Sequence, residues 1–130
     1  FLNTLLNNGN VPVIAPLTHD NSGNILNTNA DTMANVIASA MLVFFNIKLV
    51  YAFELNGVLT DISNPTSVIE NLDRSKYEKF KQNGTITDGM IPKLDNAFAA
   101  IESGVSSVSI IRYDKINLLS KSDHGYTIIS

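Results

Sequence analysis

The chain has 130 residues, of which 45% are hydrophobic and 16% are charged, a composition typical of one globular domain with a hydrophobic core. Nine basic and twelve acidic residues leave a formal charge of −3. Because nucleic-acid binding needs a basic surplus, we expect no nucleic-acid partner. The absence of cysteine excludes a disulfide scaffold, a thiolate zinc site and a cysteine nucleophile, and it agrees with a cytoplasmic location. No apolar run reaches the roughly 20 residues of a membrane span, so no membrane association is expected.

The first quarter of the chain predicts a short helix and then a buried strand. Apolar side chains in residues 1–6 recur at helical spacing, and this pattern is already under way at Phe1. We therefore expect the chain to be the later part of a longer protein. The β-branched run Val11–Ala15 is typical of a strand buried on both faces. The turn formers of Thr18–Asn24 predict a reversal between two strand-like segments.

Helices and strands alternate along the rest of the chain. The periodicity predicts helices at 29–42, 72–82 and 92–103, and strands at 48–53, 105–111 and 126–129. This order predicts an α/β fold with a mainly parallel sheet flanked by helices. Ligands of such sheets bind outside the carboxyl ends of the strands, so the loops after Ala15, Phe53 and Ile111 are candidate sites.

Two polar segments allow a structural and a functional reading. Asn27–Asp31 (NTNAD) places two amides and a carboxylate at a helix start, where one of them is enough for a cap and the surplus favours a site. Glu54–Leu59 (ELNGVL) ends a buried strand in a polar turn with a glycine. Its backbone groups suit a nucleotide base and ribose, but they equally suit an ordinary strand-to-loop transition.

A third segment, Gly84–Lys93, is a loop with two glycines that leads into a helix with a lysine in its first turn. Amide groups at a helix start attract phosphate oxygens, and a lysine adds positive charge. Because a lysine there is unfavourable with the helix dipole unless an anion lies nearby, it favours an anionic ligand. The segment lacks the Gly-Lys-Ser/Thr of a Walker loop.

Four segments together resemble the acetylglutamate kinases of the amino-acid kinase superfamily. They are VPVIAPL, LNTNAD, NGVL and GTITDGMIPKLDNAFAAIESGV, at 11–17, 26–31, 56–59 and 84–105, in the family's order. The resemblance implies transfer of the γ-phosphoryl group of ATP, carried with Mg²⁺, to the side-chain carboxylate of an N-acylated glutamate in arginine or ornithine biosynthesis. It also implies a homodimer for the intact enzyme. The sequence itself shows no dedicated set of metal ligands.

The resemblance also assigns roles to individual residues. Lys93 is implied as the catalytic lysine, Asp31 as the group that orients it, and Asn27 and Asn29 as contacts to the amino-acid substrate. The implied nucleotide-binding residues are Glu54, Leu55, Asn56, Gly57, Val58, Leu59, Thr85, Ile86, Thr87, Asp88, Gly89 and Met90. Residues 1–130 are then one domain that resembles the C-terminal, ATP-binding lobe of the fold, without the N-terminal substrate lobe.

The chain departs from the family pattern at the end of the nucleotide strand. The family commonly has Thr-Asp there, whereas this chain has Phe53-Glu54. The variant strand resembles the Bacteroidetes branch, and this resemblance adds N-succinylglutamate to N-acetylglutamate as a candidate substrate. A second hypothesis is a stand-alone nucleotide-binding or regulatory module without catalysis. On the first hypothesis the 130-residue chain alone has little kinase activity, because the second lysine and the glycine-rich loops belong to the front half of the family's chain.

Overall fold

The computed structural model describes residues 1–86, 89–120 and 125–130. The helices are α1 (Leu2–Asn7), α2 (Ala30–Met41), α3 (Arg74–Gln82) and α4 (Ile91–Glu102). The strands are β1 (Leu17–His19), β2 (Ile25–Asn27), β3 (Lys48–Phe53), β4 (Asn71–Leu72), β5 (Ser107–Arg112) and β6 (Thr127–Ile129). A 3₁₀ segment, Tyr113–Ser120, follows β5.

The strands form a hairpin and a four-stranded sheet. β1 and β2 pair antiparallel, while the larger sheet has the order β3-β5-β6-β4. β3 pairs parallel with β5, and β4 pairs parallel with β6, but β5 and β6 are antiparallel. The expected α/β fold with a mainly parallel sheet flanked by helices is therefore confirmed.

Local signals in the sequence begin and end the helices around this sheet. The Asn29 side chain caps α2 by accepting a hydrogen bond from the Thr32 amide at 2.9 Å. Asp73 caps α3 in the same way. Pro92 lies in the first turn of α4, where its missing N–H costs nothing, and Gly104 ends that helix at a φ of +106°. These four signals fix the helix boundaries that position the site.

The core lies between the sheet and the helices. α4 contacts β5, β6 and α2, and α2 also contacts β3. The Tyr77 ring of α3 stacks on Phe98 of α4 with centroids 5.1 Å apart, and the Tyr77 hydroxyl donates to Asp95 at 2.7 Å. Fully buried side chains include Leu72, Tyr77, Leu94, Val108, Ile110, Ile111 and Ile129. The resulting core is continuous from α3 through α4 to the sheet.

The prediction of a buried strand at Val11–Ala15 is wrong. The run is extended but pairs with no strand of the described residues, and Val11 and Val13 are 86% and 96% exposed. Pro12, Ile14 and Pro16 instead line an apolar groove beside α2, so only alternate side chains face the protein. Two prolines without N–H groups make this segment a poor partner in a strand ladder.

Two further elements differ from the prediction. Leu72 belongs to the two-residue strand β4 and not to the helix, which begins at Arg74. The residues after β5 form the 3₁₀ segment, for which no helix was predicted. None of the helices in the described residues combines the length and the apolar character of a membrane span.

Candidate active site

Two residues distant in the sequence meet where α2 and α4 begin. Lys93 Nζ donates to Asp31 Oδ2 at 2.6 Å, and the two side chains are 19% and 24% exposed. Asp31 lies in the first turn of α2, where a carboxylate is favourable with the helix dipole, and Lys93 lies in the first turn of α4. A lysine at the start of a helix is favourable only if a negative charge lies nearby, and Asp31 supplies that charge from within the chain.

Two aromatic side chains of β3 lie beside this ion pair. Lys93 Nζ is 5.1 Å from the ring centroid of Tyr51 and 5.6 Å from that of Phe53, distances within the range of cation–π contacts. The Tyr51 hydroxyl also donates to the backbone oxygen of Asp31 at 3.3 Å. Burial, and then the nearby charge of Asp31, raise the pKa of Tyr51 to about 12, so the phenol is neutral at physiological pH. Neither ring was predicted from the sequence to be part of a site.

The two asparagines predicted to bind the amino-acid substrate have different surroundings. The side chain of Asn29 is engaged as the cap of α2, where Oδ1 also receives the Thr32 hydroxyl at 3.3 Å. Asn27 ends β2, where it pairs with Leu17, and it is exposed. Asn27 thus lies at the end of the hairpin, four residues before Asp31, and the capping interpretation of Asn29 is confirmed.

A cleft of about 250 Å³ lies between the loop after β3 and the loop before α4. Six of the residues predicted to bind a nucleotide line it: Leu55, Val58, Leu59, Thr85, Ile86 and Met90. The lining is completed by Thr60, Asp61, Ile62 and Gly84. These four residues directly adjoin the predicted segments, so slightly longer segments would have included them in the prediction. The cleft thus brings together two segments that the sequence separates by about 25 residues.

Among the described residues, the other four predicted nucleotide positions, Glu54, Asn56, Gly57 and Gly89, do not line this cleft. Asn56 and Gly57 support its wall, since Asn56 Nδ2 donates to the Pro65 carbonyl at 2.7 Å and Gly57 is buried against β6. Glu54 is exposed before the turn, and Gly89 is exposed before α4. Thr87 and Asp88 lie outside the described residues.

One buried acceptor in this wall has no partner. Among the described residues, Asn56 Oδ1 is buried and accepts no hydrogen bond. At the cleft itself, the hydroxyl and backbone N–H of Ser63 both donate to Asp61, which holds the pKa of that carboxyl below its usual range. The cleft therefore has an apolar floor, with a carboxylate and two threonines among its polar groups.

The cleft and the ion pair are adjacent along both chain segments. Phe53 contacts Lys93 and is followed two residues later by Leu55 of the cleft. Met90 of the cleft precedes Lys93 by three residues, less than one turn of α4. The cleft and the ion pair are therefore built on the same two chain segments, the end of β3 with its loop and the start of α4.

Comparison with known protein families bears on this arrangement. Residues 1–112 match the amino acid kinase family. The chain belongs to this family. It is 52% identical over 112 residues to an acetylglutamate kinase of Cytophaga hutchinsonii, a match that covers 86% of the chain and 42% of that protein. It is 50% identical over 110 residues to an acetylglutamate kinase of Bacteroides thetaiotaomicron, covering 85% and 43%. The resemblance drawn from the motifs is confirmed, including its Bacteroidetes character.

The fold of this amino acid kinase family chain is also found in solved structures. The N-acetylglutamate synthase of Neisseria gonorrhoeae, complexed with coenzyme A and N-acetyl-glutamate, superimposes with a TM-score of 0.82. The match covers 99% of the chain and 30% of the synthase at 22% identity, so it shows the fold alone. The chain spans less than half the length of the curated relatives it matches.

Proposed function

We propose that the chain is the ATP-binding part of an N-acylglutamate kinase. In the proposed reaction, a side-chain carboxylate oxygen of N-acetyl- or N-succinylglutamate attacks the γ-phosphorus of ATP. The bond from that phosphorus to the ADP oxygen breaks, which yields an acyl phosphate and ADP. The proposal places this step in arginine or ornithine biosynthesis and in the cytoplasm, with a homodimer as the assembled enzyme.

The observation that carries the proposal is the ion pair of Lys93 and Asp31 beside the cleft. The two residues are 62 positions apart, and both belong to motifs that resemble those of acetylglutamate kinases. An interaction so distant in sequence and so short in space is a product of the tertiary fold. Its position next to the cleft is where a phosphoryl group of a bound nucleotide would need a cation.

The charge around this pair suits a phosphate group. The charges of Lys93 and Asp31 cancel, while the amino ends of α2 and α4 each contribute a partial positive charge of roughly half a unit. Partial burial strengthens the attraction of these dipoles for an anion, because solvent screens them less. In the proposed mechanism, Lys93 offsets the charge that develops on the transferring phosphoryl group, and Asp31 orients Lys93.

The cleft fits the nucleoside part of ATP. Its apolar side chains suit the faces of a base, and the hydroxyl and carboxylate groups of Thr60, Asp61 and Thr85 suit polar edges and ribose hydroxyls. The described residues contain no group of three carboxylate or histidine side chains that could hold a metal ion. In the proposal, Mg²⁺ therefore enters with the phosphates of ATP, whose charge it neutralises.

Nucleotide binding is testable on the 130-residue chain by calorimetric titration with Mg-ATP and Mg-ADP. Saturable binding is expected for the wild-type chain. Leu55→Trp, which fills the cleft, should abolish it, whereas the volume-conserving Leu55→Met should keep it. A folded wild-type chain that binds neither nucleotide would contradict the proposal.

Catalysis is testable in a chimera in which this chain replaces the matching segment of the Cytophaga hutchinsonii protein. Transfer to N-acetyl- and N-succinylglutamate is followed by trapping the acyl phosphate with hydroxylamine. Lys93→Ala should lower kcat by roughly a hundred- to a thousandfold, with a smaller effect on KM for ATP. Lys48→Ala is the control, because Lys48 is exposed at the opposite end of β3.

The outcome of that assay also separates the two hypotheses from the sequence. Binding of Mg-ATP by the chain, together with transfer by the chimera, supports the kinase. Binding by the chain without transfer to either substrate by a folded chimera supports the nucleotide-binding or regulatory module instead. The 130-residue chain by itself is expected to show little or no transfer.

A further inference from the structure

The aromatic surroundings of Lys93 have no part in the family resemblance. Tyr51 and Phe53 are two residues apart in β3, so their side chains lie on the same face of the strand. The centroids of both rings lie within 6 Å of Lys93 Nζ, and the third neighbour of this ammonium group is the Asp31 carboxylate. The lysine is therefore held between two rings of β3 and a carboxylate of α2.

The two rings contribute to the site in different ways. Tyr51 is 4% exposed, and its hydroxyl ties β3 to the first turn of α2 through the Asp31 backbone oxygen. Phe53 is half-buried, has no hydrogen-bonding group, and is the last residue of β3. Its side chain can act on the site only through its ring, so the ring's position against Lys93 is its functional contact.

A flexible lysine needs more than one contact to hold a direction. The lysine side chain is a flexible stem of four carbons, and a single ion pair fixes the distance to Asp31 but not the orientation of that stem. The negative faces of two rings favour the ammonium group over a wider area than one carboxylate oxygen.

We propose that Phe53 is a positioning residue that holds the Lys93 ammonium group between the Asp31 carboxylate and the cleft. This inference rests on the proposed function, in which Lys93 meets the phosphates of ATP. Phe53 keeps the ammonium group close to the cleft while a phosphate competes with Asp31 for it.

The test compares Phe53→Leu, which keeps an apolar side chain without a ring, with Phe53→Tyr, which keeps the ring. Phe80→Leu is the matched control, because Phe80 is likewise half-buried against the core but belongs to α3. NMR of selectively labelled lysine reports the ε-methylene and ζ-nitrogen resonances of Lys93, assigned with Lys93→Arg. Calorimetry with Mg-ATP reports nucleotide affinity on the same proteins.

The proposal expects Phe53→Leu to shift the Lys93 resonances downfield, since ring-current shielding is lost, and to weaken Mg-ATP binding roughly fivefold. Phe53→Tyr and Phe80→Leu should leave both readouts near wild type. Unchanged Lys93 resonances in Phe53→Leu, or an equal change in Phe80→Leu, would overturn the proposal even if wild type binds Mg-ATP. Shifted resonances in a chain that binds no Mg-ATP would uphold the lysine contact and reject the proposed function.

Discussion

Gly57 is the position at which a single methyl group should disturb both the fold and the cleft wall. A Cβ atom there would lie 2.7 Å from Thr127 Oγ1, 2.9 Å from the Thr127 backbone nitrogen and 3.1 Å from Val68 Cγ1. Thr127 is fully buried in β6, and its hydroxyl oxygen accepts the Val58 amide at 2.8 Å. The backbone at Gly57 does not require a positive φ, so the cost of Gly57→Ala is steric.

The structure sets the size of this effect. Moving Thr127 away from the methyl group strains a packed strand, which costs about 1–3 kcal/mol. Losing the buried Val58–Thr127 hydrogen bond adds about 1–3 kcal/mol. Both penalties arise from the same displacement of Thr127, so they do not add fully. We therefore expect Gly57→Ala to lower the free energy of unfolding by about 3 kcal/mol. For a domain of this size that corresponds to a melting temperature lower by roughly 10 °C.

Thermal unfolding followed by circular dichroism measures this loss, with Gly89→Ala as the matched control. A Cβ atom at Gly89 meets nothing within 4 Å, and Gly89 also has no positive φ. Its replacement should change stability little, or raise it slightly by restricting the unfolded chain. If Gly57→Ala melts as high as Gly89→Ala, the close contact between this turn and β6 does not exist as described.

Three further changes test the energetics of the fold. Because the pKa of Tyr51 is raised from 10.0 to about 12, its contribution to stability is complete below pH 10 and is lost as pH rises toward 12. Urea unfolding between about pH 9 and pH 12 should therefore show a loss of stability that is about 3 kcal/mol larger in wild type than in Tyr51→Phe, in which Tyr77, whose pKa burial also raises, still contributes. Asn29→Ala should cost about 1 kcal/mol and speed hydrogen exchange at the Thr32 amide, and equal exchange in both proteins would contradict the cap. Leu94→Ala, at a fully buried position of α4, should cost about 2–5 kcal/mol in chemical denaturation, and a loss below about 1 kcal/mol would place Leu94 outside the core.

The elements that were predicted correctly carry their own local signals. The Asn29 cap, Pro92 and Gly104 act within a few residues of themselves, so the boundaries of α2 and α4 follow from the sequence. The strand β4 has only two residues and exists because β6, far along the chain, pairs with it. The apolar run Val11–Ala15 indicates a preference for extended backbone but does not tell whether a partner strand lies beside it.

The candidate site likewise contains one contact that was expected from the sequence and one that was not. The proximity of Lys93 and Asp31 was implied by the family resemblance, and the structure shows their contact at 2.6 Å. The contact between Lys93 and the ring of Phe53 was not expected, because it depends on how α4 packs against α2 and the sheet. Strand alternation indicates only that Tyr51 and Phe53 share a face. The position of a cation over that face is a tertiary property that no local pattern contains.

The position of β6 has a consequence for how the chain folds during synthesis. Among the strands of the described residues β6 comes last in the sequence, yet it lies inside the sheet between β5 and β4. A ribosome therefore releases both neighbouring strands before the strand that joins them. Until residues 127–129 emerge, the facing edges of β5 and β4 are unpaired and open to other polypeptides, so the nascent chain has most need of chaperones just before its sheet closes.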